Sequence, residues 1–140
     1  MEFELSTLIK ASPHAVWSAL TDPAKLERWW DEGVILEPAA GGHFQEPWQR
    51  GEGVFVFTAG KVTEVVPSET ISFTWADEEW GFETQVVFAL TREEGSTRFS
   101  VRHLGWENAP TQERTQLMES HRGGWTSLLA SLKDFVEGQA

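Results

Sequence analysis

The 140-residue chain contains no cysteine and no tyrosine. Without cysteine it has no disulfide framework, no thiolate nucleophile and no sulfur-ligated zinc or iron–sulfur site. Long apolar runs are also missing, since the longest stretches are only a few residues against the roughly 20 of a membrane-spanning helix. The acidic, alternating residues 1–5 are unlike a signal peptide. We therefore expect a cytoplasmic protein with no membrane span.

Basic residues are scarce as well, with 11 Lys and Arg against 22 Asp and Glu, a formal charge of −11. A surface of this sign repels the phosphate backbone, so nucleic acid is not an expected partner. The hydrophobic content of 40% is enough for one sizeable core at this length. We expect residues 1–140 to form a single domain.

Local patterns predict a strand and two short helices at the start of the chain. Apolar and polar residues alternate over residues 2–9 as in a half-buried strand. Ser12 before Pro13, and Asp22 before Pro23, each combine a capping side chain with a proline suited to the first helical position. Each predicted helix has an apolar stripe: Val16, Trp17 and Leu20 in the first, and Leu26, Trp29 and Trp30 in the second.

The middle of the chain predicts six strands separated by turn residues, at approximately 34–37, 43–48, 54–66, 69–75, 82–91 and 96–104. Their short connections favour antiparallel neighbours. Alternation gives the sheet one apolar face. The residues predicted for that face are Ile71, Phe73 and Trp75, then Phe82, Thr84, Val86, Phe88 and Leu90, and finally Phe99, Val101 and His103.

A long C-terminal helix over residues 111–136 is predicted to cover this face, and such a helix is about 39 Å long. Gly123 and Gly124 lower helix propensity in its middle, which suggests a kink or a close approach to the sheet. The predicted fold class is α+β, a helix-grip arrangement of a curved antiparallel sheet around the helix. The buried stripe of the helix is predicted at Leu117, His121, Trp125, Leu128, Leu132 and Phe135.

At the residue level the chain resembles the bacterial members of the heat-shock protein ninety ATPase activator family, within the START-like, or SRPBCC, superfamily. The resemblance implies the helix-grip fold with a hydrophobic cavity between sheet and helix, which relatives use for lipids, hormones, polyketides or protein contacts. The stretches that carry it are ASPHAVW at 11–17, LTDP at 20–23, RWW at 28–30, GGHF at 41–44, GKVTEVVP at 60–67, ISFTW at 71–75, GSTR at 95–98 and GGW at 123–125.

Two histidines are the candidate polar groups of that cavity, because the patterns place His103 on the sheet and His121 on the helix facing each other. Neutral histidines in this position can exchange protons or orient a ligand. The structural alternative is that each is a core histidine bonded to backbone or to a buried carboxylate. Glu46 is a further candidate whose facing the pattern leaves open. No cofactor and no metal site is expected.

Aromatic residues are the candidate walls, although any of them can equally fill the core. Trp80 and Trp106 lie in loops beside acidic residues, which suggests the rim of an entrance or a partner surface. The complete set of candidate ligand-binding residues is Trp30, Phe44, Trp48, Phe73, Trp75, Trp80, His103, His121 and Trp125.

Three functions follow as hypotheses. The first is a non-enzymatic module that binds an apolar or amphipathic small molecule in the cavity. The second is an enzyme of the polyketide cyclase or aromatase kind, which needs a group of perturbed pKa in the pocket. The third is a protein-interaction domain, linked to a chaperone, for which an exposed tryptophan patch and the acidic surface would be the evidence. A homodimer is a separate expectation.

Overall fold

The computed structural model of the chain describes residues 1–139. The predicted elements are all present, and their bounds differ from the predicted ones by three residues at most. In chain order they are β1 (Glu2–Ile9), α1 (Pro13–Thr21), α2 (Pro23–Trp29), β2 (Ile35–Leu36), β3 (His43–Gly51), β4 (Val54–Val66), β5 (Thr70–Asp77), β6 (Thr84–Glu93), β7 (Ser96–Leu104), a 3-10 turn (Trp106–Asn108) and α3 (Arg114–Gly138).

The two helix starts form as their sequences predict. The Ser12 hydroxyl accepts a hydrogen bond from the backbone N–H of Ala15 at 3.1 Å. The Asp22 carboxylate accepts one from Ala24 at 2.9 Å. In both helices proline occupies the first turn, where its missing N–H costs nothing. The two caps therefore place consecutive short helices between β1 and β2.

The strands of the described residues form one curved, seven-stranded antiparallel sheet in the order β1-β7-β6-β5-β4-β3-β2. β2 to β7 form a meander, and β1 pairs with β7 from Glu2 opposite Leu104 to Ile9 opposite Thr97. The helices α1 and α2 bridge the two edges of the sheet. With α3 packed against one face, this is the predicted α+β helix-grip fold.

A glycine sets the close contact between β4 and β5. A Cβ on Gly60 would overlap the backbone carbonyl of Thr74. The strand pairing shifts register between Val62 and Glu64, a bulge just beyond this point. Gly60 therefore lets the two strands lie closer than any side chain would permit.

The core lies between the sheet and α3, but the helix face differs from the predicted one. Of the predicted stripe, Trp125 and Leu132 are buried, whereas Leu128 and Phe135 are only half-buried. The fully buried positions of α3 are Trp125, Leu129, Leu132 and Val136. The helix is thus rotated by about one position from the prediction, because Leu128 borders a cavity instead of the core.

The prediction of a close approach at the helix glycines is wrong. A Cβ at either Gly123 or Gly124 would meet no atom within 4 Å, and α3 runs without interruption through both residues. The sheet face, in contrast, is as predicted for β5, β6 and β7, with Phe82 as the exception because it precedes β6 and is half-buried.

Candidate functional site

A cavity of about 400 Å³ lies between α3 and the strands β3, β4 and β5. This is within the range of roughly 300–1,000 Å³ that is usual for small-molecule sites. Its walls come from Glu46, Trp48, Thr58, Trp75 and Asp77 on the sheet side, and from Ser120, His121, Gly124, Trp125 and Leu128 on the helix side.

Three polar residues form a row across the sheet side of the cavity. Glu46 on β3 pairs with Thr58 on β4, and Thr58 pairs with Asp77 on β5. Residues directly opposite each other on neighbouring strands project to the same face. The Thr58 hydroxyl donates to Asp77 Oδ1 at 2.6 Å and accepts from the Trp48 indole N–H at 3.0 Å. The strand register thus brings two carboxylates to one wall.

The Glu46 carboxylate is half-buried, and none of the basic side chains in residues 1–139 bonds to it. Its Oε2 accepts a hydrogen bond from the indole N–H of Trp30 at 2.8 Å. Burial raises the pKa of Glu46 above its usual 4.5, and the nearby charges of Asp77 and Asp31 act in the same direction, while the Trp30 hydrogen bond opposes them. Negative charge at this position is therefore poorly compensated by the protein.

Aromatic rings form the apolar part of the cavity wall. Trp75 and Trp125 pack with ring centroids 5.2 Å apart, and Trp125 contacts Phe88 behind it edge to face at 5.6 Å. Trp30 packs against Trp125 at 5.5 Å. Because the Trp48 indole is bonded to Thr58, its orientation is fixed as well. The walls are therefore rigid indole surfaces.

His103 is fully buried behind the cavity, and its ring nitrogens are both satisfied. Nδ1 accepts from the indole N–H of Trp125 at 3.0 Å, so the ring proton is on Nε2, which lies 2.8 Å from the Thr84 hydroxyl. Thr84 in turn donates to the Trp75 carbonyl at 3.0 Å. Burial, and then the neighbouring His121, lowers the pKa of His103 to about 2. This histidine is a neutral structural link between β7 and α3.

His121 is different, because it lines the cavity and, among residues 1–139, only its Nδ1 has a hydrogen-bond partner. Its Nδ1 lies 2.8 Å from the Leu117 carbonyl, which can only accept, so Nε2 is the acceptor of the ring. Burial lowers the pKa of His121, against the opposing effects of the Leu117 carbonyl and Asp77. The two histidines meet with ring centroids 5.4 Å apart, as the patterns predicted, but only His121 reaches the cavity.

The predicted candidate residues divide into three groups. Four of them line the cavity: Trp48, Trp75, His121 and Trp125. Another four lie behind it, with Phe44, Phe73 and His103 in the core and Trp30 bonded to Glu46. Trp80 borders two other depressions and stacks on Phe82 with ring centroids 4.5 Å apart. Ligand binding by these residues stays a prediction.

Two loop residues differ from their predicted places. Trp106 was expected at a rim, yet it is fully buried against His103 and His121, because the 3-10 turn folds it under the sheet. Asp77 follows Ala76 in a stretch whose composition indicates a turn, but it is the last residue of β5 and lines the cavity. The signal that could have found Asp77 is its place two residues after Trp75, on the same strand face.

Residues 1–139 hold no group of three or more His, Asp or Glu side chains that could bind a metal ion. None of their helices is both long and apolar enough to cross a membrane. The cavity instead offers hydrogen-bond acceptors, negative charge and indole faces. Such a set suits reversible binding of an organic molecule.

Solved structures share this architecture over nearly their whole length. A Mesorhizobium loti protein is 21% identical, with a TM-score of 0.84 and coverage of 100% of this chain and 99% of that one. The AHSA1 protein of Silicibacter pomeroyi is 24% identical, with a TM-score of 0.81 and complete coverage of both chains. The Aha1 dimer of Colwellia psychrerythraea is 24% identical, with a TM-score of 0.80 and coverage of 98% and 96%. At these identities the likeness shows the fold.

No curated protein matches the chain. The family model described as Activator of Hsp90 ATPase homolog 1-like protein matches residues 10–137, which is almost the entire sequence. That span includes every strand from β2 to β7, the helices α1 and α2, α3 except its last residue, and all residues of the cavity. The chain therefore belongs to the Activator of Hsp90 ATPase homolog 1-like protein family.

Proposed function

We propose that this protein binds an amphipathic small molecule in the cavity beneath α3. The observation that carries the proposal is the combination of about 400 Å³ of space with three indole walls and a few polar groups. Pockets that hold small organic molecules have this mixture of apolar surface and sparse, fixed polar atoms. In this arrangement His121 Nε2 accepts a hydrogen bond from the ligand, and Trp48, Trp75 and Trp125 enclose its apolar part.

The two helix glycines provide a matched test. Gly123 and Gly124 are both exposed, and a Cβ at either meets no atom within 4 Å, but only Gly124 borders the cavity. Leucine favours a helix over glycine equally at both positions. We expect Gly124→Leu to fill the cavity and to weaken ligand binding at least about tenfold, whereas Gly123→Leu leaves binding unchanged.

Binding is measured by native mass spectrometry of the purified protein after incubation with a metabolite extract, and by the change in tryptophan fluorescence on titration. Both variants are first compared with the parent by circular dichroism. Equal loss of binding in the two variants, or full binding by Gly124→Leu, contradicts a ligand site in this cavity.

An enzyme of the cyclase or aromatase kind is the second candidate. The observation that favours it is that Glu46 and His121, both on the cavity wall, have pKa values shifted from their usual values. Cyclisation of a polyketide chain to an aromatic ring releases water. Mass spectrometry of a bound polyketide analogue after incubation tests this candidate, because an analogue recovered with unchanged mass argues against it.

Self-association is a separate proposal that rests on the outer face of the β3–β4 hairpin, formed by Pro47, Phe55 and Phe57. Phe55 is 70% exposed and Phe57 44% exposed, which is unusual for large apolar side chains on neighbouring positions of one face. The related Colwellia psychrerythraea protein is a dimer. We propose that a second copy of this chain covers the hairpin face.

Light scattering coupled to size exclusion tests the dimer. We expect Phe55→Ser to shift the protein toward the monomer. The matched control is Val66→Ser, which removes an exposed apolar side chain at the far end of β4. A monomeric parent protein at high micromolar concentration contradicts self-association and leaves the hairpin face to a different protein, such as a chaperone.

A further inference from the structure

We propose that the cavity selects a cationic ligand, an organic amine or quaternary ammonium group joined to an apolar or aromatic body. This inference rests on the proposed ligand-binding function and adds the chemistry of the polar end. It follows from the charges, the free acceptor atoms and the indole faces that the fold brings to one wall.

The first step is the charge of the lining residues. Two carboxylates, Glu46 and Asp77, face the cavity, and none of the lining residues within 1–139 is Lys or Arg. Arg50 borders a smaller depression that also contacts Asp77, but its guanidinium is paired with Glu79. A carboxylate or phosphate ligand would therefore enter a cavity of its own sign, whereas a cation would supply the missing partner.

The second step is the hydrogen-bonding capacity that remains. Among the described residues, Glu46 uses only Oε2, toward Trp30, and Asp77 uses only Oδ1, toward Thr58. Glu46 Oε1 and Asp77 Oδ2 accept no hydrogen bond from residues 1–139, and His121 Nε2 is a further acceptor. An ammonium group offers donors alone, so it matches these three acceptor atoms.

The third step is geometry. Glu46 and Asp77 lie on strands separated by one intervening strand, so their backbones are about 10 Å apart. This spacing leaves room for one ammonium group between the two side chains, over Thr58. Trp48, Trp75 and Trp125 line the same space, and indole rings attract organic cations more strongly than other aromatic rings do.

The test compares three ligands that differ in charge and share one body. Phenylbutylamine, phenylbutanol and phenylbutyrate are titrated into the full chain at neutral pH, where they are a cation, a neutral molecule and an anion. Isothermal calorimetry and tryptophan fluorescence give the affinities. We expect the amine to bind at least about tenfold more tightly than the carboxylate, with the alcohol between them.

Conservative variants assign the preference to the two carboxylates. Glu46→Gln and Asp77→Asn keep an acceptor oxygen for Trp30 and Thr58, so the fold is retained, and circular dichroism confirms this before titration. Each is expected to weaken amine binding about tenfold and to leave the alcohol unchanged. Glu69→Gln is the control, because this exposed carboxylate loses the same charge at the opposite end of β5.

The outcomes separate this inference from the proposed function. If the alcohol or the carboxylate binds as tightly as the amine, or if Glu69→Gln weakens the amine as much as Glu46→Gln, the cation preference is overturned while the ligand cavity stands. If none of the three ligands binds to the parent protein, and Gly124→Leu behaves as Gly123→Leu with the metabolite extract, the proposed function itself fails.

Discussion

At the scale of single residues, the two histidines show how identical side chains acquire different roles from their hydrogen bonds. One nitrogen of His103 accepts a hydrogen bond from Trp125 and the other is bonded to Thr84, so both nitrogens of the neutral ring have partners. His121 bonds its own helix through one nitrogen, and its side chain lines the cavity. His103 is thus a core histidine, which was the structural alternative considered from the sequence. Its partners are an indole and a hydroxyl, whereas a backbone group or a buried carboxylate was expected.

The buried His103 makes stability depend on pH. Its pKa falls from the usual 6.5 to about 2 on folding, so the unfolded chain takes up the proton more readily. The stabilisation is complete above pH 6.5 and is lost as the pH falls below it, by about 1.4 kcal/mol per pH unit for this group. His121 contributes in the same direction, because burial lowers its pKa too.

Urea unfolding between pH 5 and 7 measures this slope. His103→Asn keeps an acceptor for Trp125 and removes the titrating ring, so a smaller pH dependence is expected, together with a stability loss of about 2 kcal/mol at pH 7. His43→Asn, at an exposed position of β3, is the control. An unchanged slope in His103→Asn would exclude the buried ring as its source.

Two glycines of similar appearance in the sequence have opposite predicted responses to alanine. Gly60→Ala would force a methyl group onto the Thr74 carbonyl, so we expect a loss of about 2–3 kcal/mol. Gly123→Ala adds a methyl group to open space in the middle of α3, and we expect a gain of about 1 kcal/mol. Chemical denaturation of both variants checks the pair. Equal effects would mean that β4 and β5 relax at no cost.

At the scale of elements, α3 has two adjacent leucines with different surroundings. Leu129 is 5% exposed and belongs to the core, whereas Leu128 borders the cavity. Leu129→Ala is expected to cost about 2–5 kcal/mol, because it leaves a void between helix and sheet. Leu128→Ala is expected to cost about 1 kcal/mol and to alter ligand affinity.

Thermal unfolding and ligand titration of the two leucine variants measure this difference. A larger loss of stability in Leu128→Ala than in Leu129→Ala would support the predicted stripe, in which Leu128 faces the core. That prediction failed for a physical reason. Residues 128 and 129 are adjacent in the chain and therefore lie about 100° apart around the helix. Both can belong to an apolar face more than 100° wide.

At the scale of the whole molecule, the buried apolar residues form one cluster. Every helix and strand contributes to it, and the 3-10 turn contributes Trp106. The cluster extends from Phe3 on β1 through Phe44 on β3 and Phe88 on β6 to Val136 near the end of α3. We propose on this basis that the chain unfolds as a single domain. A single transition, with coincident far-ultraviolet and near-ultraviolet circular dichroism curves, is the expected result, and separate midpoints would contradict it.

Much of the fold was predictable because its determinants are local. Alternation over β5 to β7 fixes which side chains share a face, and the pairs Ser12–Pro13 and Asp22–Pro23 fix two helix starts within a few residues of sequence. These signals act between neighbours along the chain. They can therefore be identified in the sequence without knowing which residues pack against them.

The candidate site was predictable only in part. Trp48, Trp75, His121 and Trp125 could be selected as wall residues because they are aromatic side chains on the inner faces, but the same rule also selected Phe44 and Phe73, which lie in the core. The sequence suggested Glu46 as a candidate but not the face of the sheet on which it lies. Asp77 could not be distinguished from a turn residue, because its position on the cavity wall depends on β5 continuing past Trp75.

By itself, then, the sequence determined the order of strands and helices, the apolar face of the sheet and the family to which the chain belongs. The tertiary structure alone decided the rotation of α3, the burial of Trp106 and the alignment of Glu46, Thr58 and Asp77 across three strands. The reason is that helix rotation and strand register are set by contacts between residues far apart in the chain. A local sequence pattern does not show which of several adjacent apolar or acidic residues will make those contacts.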